Sequence, residues 1–196
     1  MSIELLVALS LFAFVSSITP GPNNLMLMAS GANFGFVRTV PHMLGVGIGF
    51  TLMVILVGSG LMHLFDAYPR SYTVLQVVSV VYLLFLAYKI ATAGKPDTRK
   101  NHRAKPITFV QAVLFQWVNP KAWTMALTAI SVYAPERSLN AVLLVAMVFG
   151  LINLPSVSVW TVLGLQMRKL LTNPVRLRWF NLTMAVLLVA SLFPML

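Results

Sequence analysis

The sequence predicts an all-α integral membrane protein with six transmembrane helices, arranged as two inverted three-helix repeats. Of its 196 residues, 59% are hydrophobic and only 9% are charged, which is unlike a soluble domain of this size. Six apolar stretches account for nearly all of the chain, and each is near the length of about 20 residues that a helix needs to cross a bilayer. We therefore expect a single transmembrane domain over residues 1–196.

The six spans fall into two halves of three. The first repeat covers about residues 1–93 and the second about residues 107–196, with a basic linker at about residues 94–106 between them. Because each half holds an odd number of helices, the halves must enter the membrane in opposite directions, which makes the repeat inverted. The predicted spans lie at about residues 3–30, 40–64, 72–92, 107–133, 139–165 and 179–195.

A polar stretch interrupts the first span. Proline lacks a backbone donor and disfavours helical geometry in the residue before it, so we expect a broken helix with unpartnered carbonyl groups from Ser17 to Pro20. Thr19 as the N-cap, with Pro20 in the first turn, would restart the helix. The stretch reads Thr19-Pro20-Gly21-Pro22-Asn23-Asn24.

The second span is rich in glycine and carries two histidines. Gly45 and Gly49 form a G-x-x-x-G pattern, which indicates close helix packing or a moving interface. His42 and His63 lie toward opposite ends of the span, and histidine titrates near neutral pH. They are the candidates for proton coupling, and a purely structural role is the alternative. The third span offers no comparable motif.

The fourth span contains a second break, one hundred residues after the first. Pro120 aligns with Pro20 and Asn119 with Thr19, and the short apolar segments that follow match without a gap. Asn119 as N-cap and Pro120 as the first helical residue would start a new helix. Interrupted helices in corresponding positions of two halves are typical of a transporter's binding site, whereas two unrelated proline kinks are the simpler interpretation.

Lys121 lies near the middle of the fourth span, where a cation costs about 2.5–3.5 kcal/mol on insertion scales. The four acidic residues, Glu4, Asp66, Asp97 and Glu136, all lie at span ends or in loops, so a protein counter-ion is not expected. A substrate carboxylate, a water-filled cavity or the carbonyl groups of the broken helix would then stabilise the charge. The alternative is that Lys121 extends its side chain to the membrane surface from a shallower helix.

The fifth span has Asn153 and Ser156 near its centre, and the sixth is short. Both polar residues either line the cavity formed by the two breaks or join helices by hydrogen bonds. We expect oxygen atoms of the first break to accept an ammonium group, and the second break with Lys121 to accept a carboxylate. The predicted substrate-binding residues are Thr19, Pro20, Gly21, Asn23, Asn24, Asn119, Lys121, Asn153 and Ser156.

The charges predict the orientation in the membrane. Alternating the connections between two sides places eleven basic residues on one side, against only Arg70 and Arg137 on the other. Cytoplasmic loops carry the excess of Lys and Arg, so both termini should lie outside the cytoplasm. The eleven are Arg38, Lys89, Lys95, Arg99, Lys100, Arg103, Lys105, Arg168, Lys169, Arg176 and Arg178.

Two motifs resemble the lysine exporter and homoserine/threonine exporter superfamily, LysE/RhtB. The first is the 19–24 stretch with Gly31-Ala32-Asn33-Phe34-Gly35 after it, and the second is Phe115-Gln116-Trp117-Val118-Asn119-Pro120-Lys121. The segment Ala104-Lys105-Pro106-Ile107-Thr108-Phe109 is similar to the cysteine and O-acetylserine exporter branch. The resemblance implies a bacterial inner-membrane exporter of small amino acids, driven by proton antiport. The missing intramembrane acid favours a neutral substrate.

Three function classes remain open on the residues alone. The first is a secondary transporter with alternating access, the second an intramembrane enzyme with Lys121 as base and Ser156 as nucleophile, and the third a channel. We expect the first, with no catalytic residue, no cofactor, no metal and no nucleic-acid partner. The chain has no cysteine, no nucleotide-binding G-x-x-x-x-G-K-[ST] pattern, and only three scattered histidines. A homo-oligomer is compatible with this prediction.

Overall fold

The structure is a computed structural model that describes residues 1–61, 67–68, 70–93, 105–136 and 138–191. Within these ranges the regular structure is helical and contains no strand. A π-helical turn, Val57–Leu61, follows α3. The helices are α1 (Ile3–Ile18), α2 (Pro22–Phe34), α3 (Phe36–Leu56), α4 (Arg70–Ala91), α5 (Phe109–Val118), α6 (Pro120–Tyr133), α7 (Leu139–Leu170) and α8 (Pro174–Ala190).

Three helices are long and apolar enough to cross a membrane, namely Phe36–Leu61, Thr73–Ala91 and Leu139–Leu170. Helices α1 and α2 meet this requirement together as one span bent by 54°. This confirms an all-α membrane protein, with three to four candidate spans in the described part of the chain. The predicted fourth span corresponds to the two short helices α5 and α6, and the predicted sixth span to the short helix α8. Six spans therefore remain a prediction.

The last helix begins earlier than its hydrophobicity indicates. Helix α8 starts at Pro174 rather than near residue 179, because the Asn173 side chain accepts a hydrogen bond from the Val175 amide at 2.8 Å. Proline at the first helical position suits this start. Local capping, rather than the edge of the apolar run, therefore sets the boundary. Residues 192–196, at the end of the predicted sixth span, lie outside the described residues.

The first break lies where the prolines predict it, but its caps differ from the prediction. Helix α1 ends at Ile18, and Thr19 is its C-cap, with its amide donating to the Val15 carbonyl at 3.1 Å. Helix α2 starts at Pro22 after an extended Gly21. The expectation that Thr19 is an N-cap is wrong, because Pro22 rather than Pro20 takes the first helical position.

The second break has the caps that the sequence predicts. Helix α5 ends at Val118, and Asn119 caps α6 by accepting a hydrogen bond from the Lys121 amide at 3.2 Å. Pro120 is the first residue of α6, so its missing donor leaves no gap in the hydrogen-bond ladder. The local sequence, an asparagine followed directly by proline, is therefore enough to set this helix start, and no tertiary contact is needed.

Two apolar clusters pack on either side of the breaks. One holds α2, α4, α5, α8 and the first half of α3, including Val46, and the other holds α1, α6 and the second half of α3, including Phe50. Helix α7 contributes Phe149 to the second cluster and Val157 to the first. Each broken span thus passes from one cluster to the other at its break, and α7 does so at Asn153.

Glycines allow the closest helix contacts. A Cβ on Gly164 of α7 would lie 2.0 Å from the Met28 carbonyl oxygen of α2, and one on Gly31 would lie 2.3 Å from the Thr161 carbonyl oxygen. Gly45 and Gly49 of α3 approach the α5 backbone in the same way. The close-packing interpretation of the G-x-x-x-G pattern therefore holds.

We predict that Gly164→Ala destabilises the fold and that Gly47→Ala does not. The added methyl group at Gly164 meets backbone, which cannot rotate away, whereas at Gly47 it makes an ordinary contact of 3.6 Å with the Leu154 side chain. Overpacking of this kind costs about 1–3 kcal/mol. Thermal unfolding in detergent, followed by size-exclusion chromatography, measures the difference. Equal unfolding temperatures for both variants would contradict the close contact.

Candidate functional site

The first break is stabilised by side chains that donate to its backbone carbonyl groups. The Asn24 amide donates to the Ser17 oxygen at 2.8 Å and to the Thr19 oxygen at 2.7 Å. The Trp160 indole N–H, from α7, donates to the Ile18 oxygen at 3.0 Å. These are the carbonyl groups that the prolines deprive of intrahelical partners, as the sequence predicts. Burial in a membrane requires such replacement donors.

Lys121 is the strongest of these donors, and it comes from the other break. Its Nζ donates to the Thr19 carbonyl oxygen at 2.7 Å, to the Thr19 hydroxyl oxygen at 2.9 Å and to the Pro20 carbonyl oxygen at 3.3 Å. The carbonyl groups of the broken helix therefore stabilise this charge, which is one of the three solutions that the sequence left open. The alternative, a side chain extended to the membrane surface, stays a prediction.

Gly21 makes room for that contact. A Cβ at this position would lie 2.7 Å from Cδ of Lys121 and 3.2 Å from its Nζ. Any side chain here would push the ammonium group away from the break. The glycine of the Thr-Pro-Gly-Pro stretch is thus explained by the lysine that lies one hundred residues downstream.

A second pair of side chains joins the two breaks. The Asn23 amide donates to the Gln116 side-chain oxygen at 2.9 Å, and the Gln116 amide donates back to Asn23 Oδ1 at 3.3 Å. Gln116 is fully buried on α5, one turn before the second break. The sequence prediction omitted Gln116, although a buried amide within the Gln-Trp-Val-Asn-Pro-Lys run was the signal for it.

The fifth predicted span also contributes to this centre. Asn153 donates to the Ser17 hydroxyl oxygen at 3.1 Å, while its own Oδ1 is buried without a protein partner in the described residues. Ser156 is buried and donates to the Ile152 carbonyl of its own helix at 2.7 Å. Asn153 therefore presents an unused acceptor, whereas the Ser156 hydroxyl donates its proton within α7.

Several of these residues, but not Thr19, Pro20 or Ser156, line a small cavity, which we call the central cavity. Its volume is about 20 Å³, which is room for about one water molecule. It lies between the two apolar clusters, so polar groups concentrate at the level of the breaks. Its polar lining consists of Ser16, Ser17, Asn23, Asn24, Gln116, Asn119, Lys121 and Asn153.

The backbone at the start of α6 offers no free donor to an anion. The Lys121 amide donates to Asn119 Oδ1, and the Ala122 and Trp123 amides donate to the Asn119 carbonyl oxygen at 3.0 and 3.2 Å. No free backbone donor remains in the first turn for a carboxylate. Because the Asn119 cap satisfies these amides locally, a carboxylate at the second break would have to be bound by side chains such as Lys121.

Of the two histidines predicted as candidates for proton coupling, the structure describes only His42. His42 on α3 is fully buried, with neither ring nitrogen hydrogen-bonded to any described residue, and it does not line the central cavity. His63 lies outside the described residues. Proton coupling through either histidine stays a prediction.

Comparison with known proteins identifies the class of molecule. The family model of the LysE type translocators matches residues 14–192, which cover both breaks and all helices except the first turns of α1. The chain belongs to the LysE type translocator family. The protein is therefore a membrane transporter and not an enzyme, which confirms the sequence prediction on both points. No solved structure matches this translocator.

Similar curated proteins share one description. The cysteine/O-acetylserine efflux protein of Salmonella typhimurium is 30% identical over 162 residues, which cover 82% of each chain. The protein of the same description from Escherichia coli (strain K12) is 28% identical over 191 residues, which cover 96% of each chain. The similarity extends over the whole translocator rather than over one motif.

We predict that Asn24→Ala destabilises the translocator by about 2–4 kcal/mol, since it leaves the Ser17 and Thr19 carbonyl groups without this donor. Trp160→Phe removes one donor and should cost about half as much. Asn140→Ala, at an exposed site near the start of α7, is the matched control and should stay within about 0.5 kcal/mol. Denaturant unfolding in detergent gives all three values. An Asn24 variant as stable as the control would disprove the capping role.

Proposed function

We propose that this translocator exports neutral amino acids or close derivatives from the bacterial cytoplasm. The substrates are of the cysteine/O-acetylserine or the homoserine/threonine type, and export is secondary transport by proton antiport with alternating access around the two broken helices. The shared description of its relatives supports the substrate class. The absence of Asp and Glu from the interior of the predicted spans supports a neutral rather than a cationic substrate.

The observation that carries this proposal is the contact between the two breaks. Lys121 from the second break lies on the oxygen atoms of Thr19 and Pro20 from the first. In transporters built from inverted repeats, discontinuous helices bind the substrate with exposed helix ends and unwound backbone. A site made by both halves can open to either side when the halves move.

The substrate's ammonium group binds, in this proposal, to the oxygens that Lys121 now uses. Those carbonyl groups accept a cation at hydrogen-bond distance, which shows the chemistry that they can offer. Side-chain amides at Asn23, Asn119 and Asn153 supply N–H donors for the substrate's carboxylate and acceptors for its polar side chain. Asn153 Oδ1 has no other partner in the described residues. The proposed site is Thr19, Pro20, Gly21, Asn23, Asn24, Asn119, Lys121, Asn153 and Ser156, with Gln116 added.

The size of the central cavity supports alternating access. A volume of about 20 Å³ is too small for any amino acid, so in this proposal the site widens to bind its substrate. A larger cavity of about 350 Å³ lies between α2 and α4, next to Asn33 and Lys89 on the basic side of the molecule. That cavity is a suitable cytoplasmic vestibule.

The packing supports the inverted repeat. An inverted repeat would match α1 with α5, α2 with α6, α3 with α7 and α4 with α8. The contact of α1 with α7 is then equivalent to the contact of α5 with α3, and both contacts are present. Equivalent helices related by a two-fold axis are also expected to contact each other, and α3 contacts α7 while α4 contacts α8. We propose six spans in one domain, with residues 94–106 as the cytoplasmic linker, both termini in the periplasm, and a possible homo-oligomer. The linker residues 94–104 lie outside the described residues.

Counterflow in proteoliposomes tests the transport proposal. Vesicles loaded with unlabelled O-acetylserine, cysteine, homoserine or threonine should take up the labelled form of the same compound with saturation. Asn153→Ala should raise the half-saturating concentration about tenfold, because a hydrogen bond to a charged group contributes about 1.5–3 kcal/mol. Asn140→Ala is the control. Flux without saturation or counterflow would favour a channel and contradict the proposal.

Cysteine labelling tests the topology, since the natural chain has no cysteine. The single-cysteine variants Ser2→Cys and Glu136→Cys should react with a membrane-impermeant thiol reagent added outside the inner membrane. The variants Arg38→Cys and Arg176→Cys should react only after the membrane is permeabilised. Labelling of Arg176→Cys from outside would contradict six spans with periplasmic termini.

A further inference from the structure

Lys121 and the substrate's ammonium group need the same oxygen atoms. Nζ of Lys121 lies within 3.3 Å of the Thr19 and Pro20 carbonyl oxygens and within 2.9 Å of the Thr19 hydroxyl oxygen. The Thr19 oxygen also accepts from Asn24, so no lone pair of that carbonyl is free for a third donor. Two ammonium groups within hydrogen-bond distance of the same oxygens would also repel each other. Occupancy by one therefore excludes the other.

We propose that Lys121 is the proton-coupling group of this translocator, and that its protonated form and the substrate's ammonium group occupy the first break in turn. The proposal rests on the transport function proposed above and assigns the coupling to one residue. A lysine amine can release and take up a proton and therefore has the chemistry required for coupling, whereas Arg keeps its charge in proteins.

The cycle balances charge and protons. With the site open to the cytoplasm, the Lys121 ammonium releases one proton to water and its neutral amine leaves the Thr19 and Pro20 oxygens, which then bind the substrate. With the site open to the outside, the substrate leaves and the amine takes one proton from water there. The ammonium returns to the same oxygens, and the site closes as in this structure. One proton enters for each zwitterion exported, so one positive charge moves inward.

No other titratable side chain lines the central cavity in the described part of the chain. Helix α6 packs mainly against α1, α3, α5, α7 and the π-helical turn. Their titratable or charged side chains all lie outside the cavity lining, as does Tyr133 at the end of α6. Those on the neighbouring helices are Glu4 on α1, Arg38 and His42 on α3, and Arg168 and Lys169 on α7.

Two variants of Lys121 separate coupling from binding. Lys121→Met removes the group that exchanges the proton, so uptake driven by an acidic vesicle interior should fall much further than counterflow of labelled O-acetylserine does. Lys121→Arg keeps a charge that cannot be released, so counterflow should fall about tenfold or more. Lys169→Met, which removes an exposed charge at the end of α7, is the control and should keep both activities.

The outcomes distinguish this inference from the proposed function. Wild-type protein without counterflow, or without uptake driven by the pH difference, would overturn the transport proposal itself. If the wild-type protein shows uptake driven by the pH difference and Lys121→Met shows the same uptake, only the coupling role is overturned. Counterflow at the wild-type rate in Lys121→Arg would overturn it as well. Loss of driven uptake in His42→Asn, with Lys121→Met still coupled, would assign the coupling to His42 instead.

A measurement on unaltered protein covers the case in which the Lys121 variants do not fold. Purified wild-type translocator in weakly buffered detergent solution should release about one proton for each O-acetylserine bound, at some pH between about 5 and 9. A pH-indicator dye follows the release while isothermal calorimetry counts the sites. Binding without proton release across that range would overturn the inference.

Discussion

A broken helix inside a membrane must find new partners for its free carbonyl groups, and this requirement organises the centre of the translocator. Water is absent from the bilayer core, so each unpartnered group costs several kcal/mol. Here the donors come from three different helices: Asn24 from α2, Trp160 from α7 and Lys121 from α6. The break in one half of the chain is therefore complete only when the other half is folded around it.

The same requirement explains why polar residues concentrate at one level. The apolar clusters fill the space on either side of the breaks, and the central cavity lies between them. A polar group is tolerated there because neighbouring amides and carbonyl groups pair with it, as Asn23 pairs with Gln116. Asn153 is the exception in the lining of this cavity, since its buried Oδ1 has no protein partner in the described residues. Because Asn153 lines the central cavity, this unused acceptor lies where the two breaks meet.

Much of this could be predicted from the sequence, and the rest depended on tertiary contacts. Composition and proline positions predicted a helical membrane protein with two breaks, and the Asn119 cap was confirmed because its signal is local. The Thr19 cap was wrong because two prolines compete for one helix start, and local rules do not say which one succeeds. Gln116 and Trp160 were missed as partners of the breaks because their roles depend on residues about 90 to 140 positions away. The six-span count also needs evidence beyond helix length, since α5, α6 and α8 are short.

The glycine contacts have a consequence for how the chain assembles. Gly31 and Gly164 bring α2 of the first half against α7 of the second with backbone touching backbone, and Gly45 and Gly49 do the same for α3 and α5. The two halves are therefore interlocked rather than placed side by side. When the ribosome has delivered only the first half into the bilayer, its glycine grooves and its open carbonyl groups have nothing to cover them. Biogenesis must then pass through an incompletely packed half-protein that lipid or the insertion machinery shelters until α5 to α8 arrive.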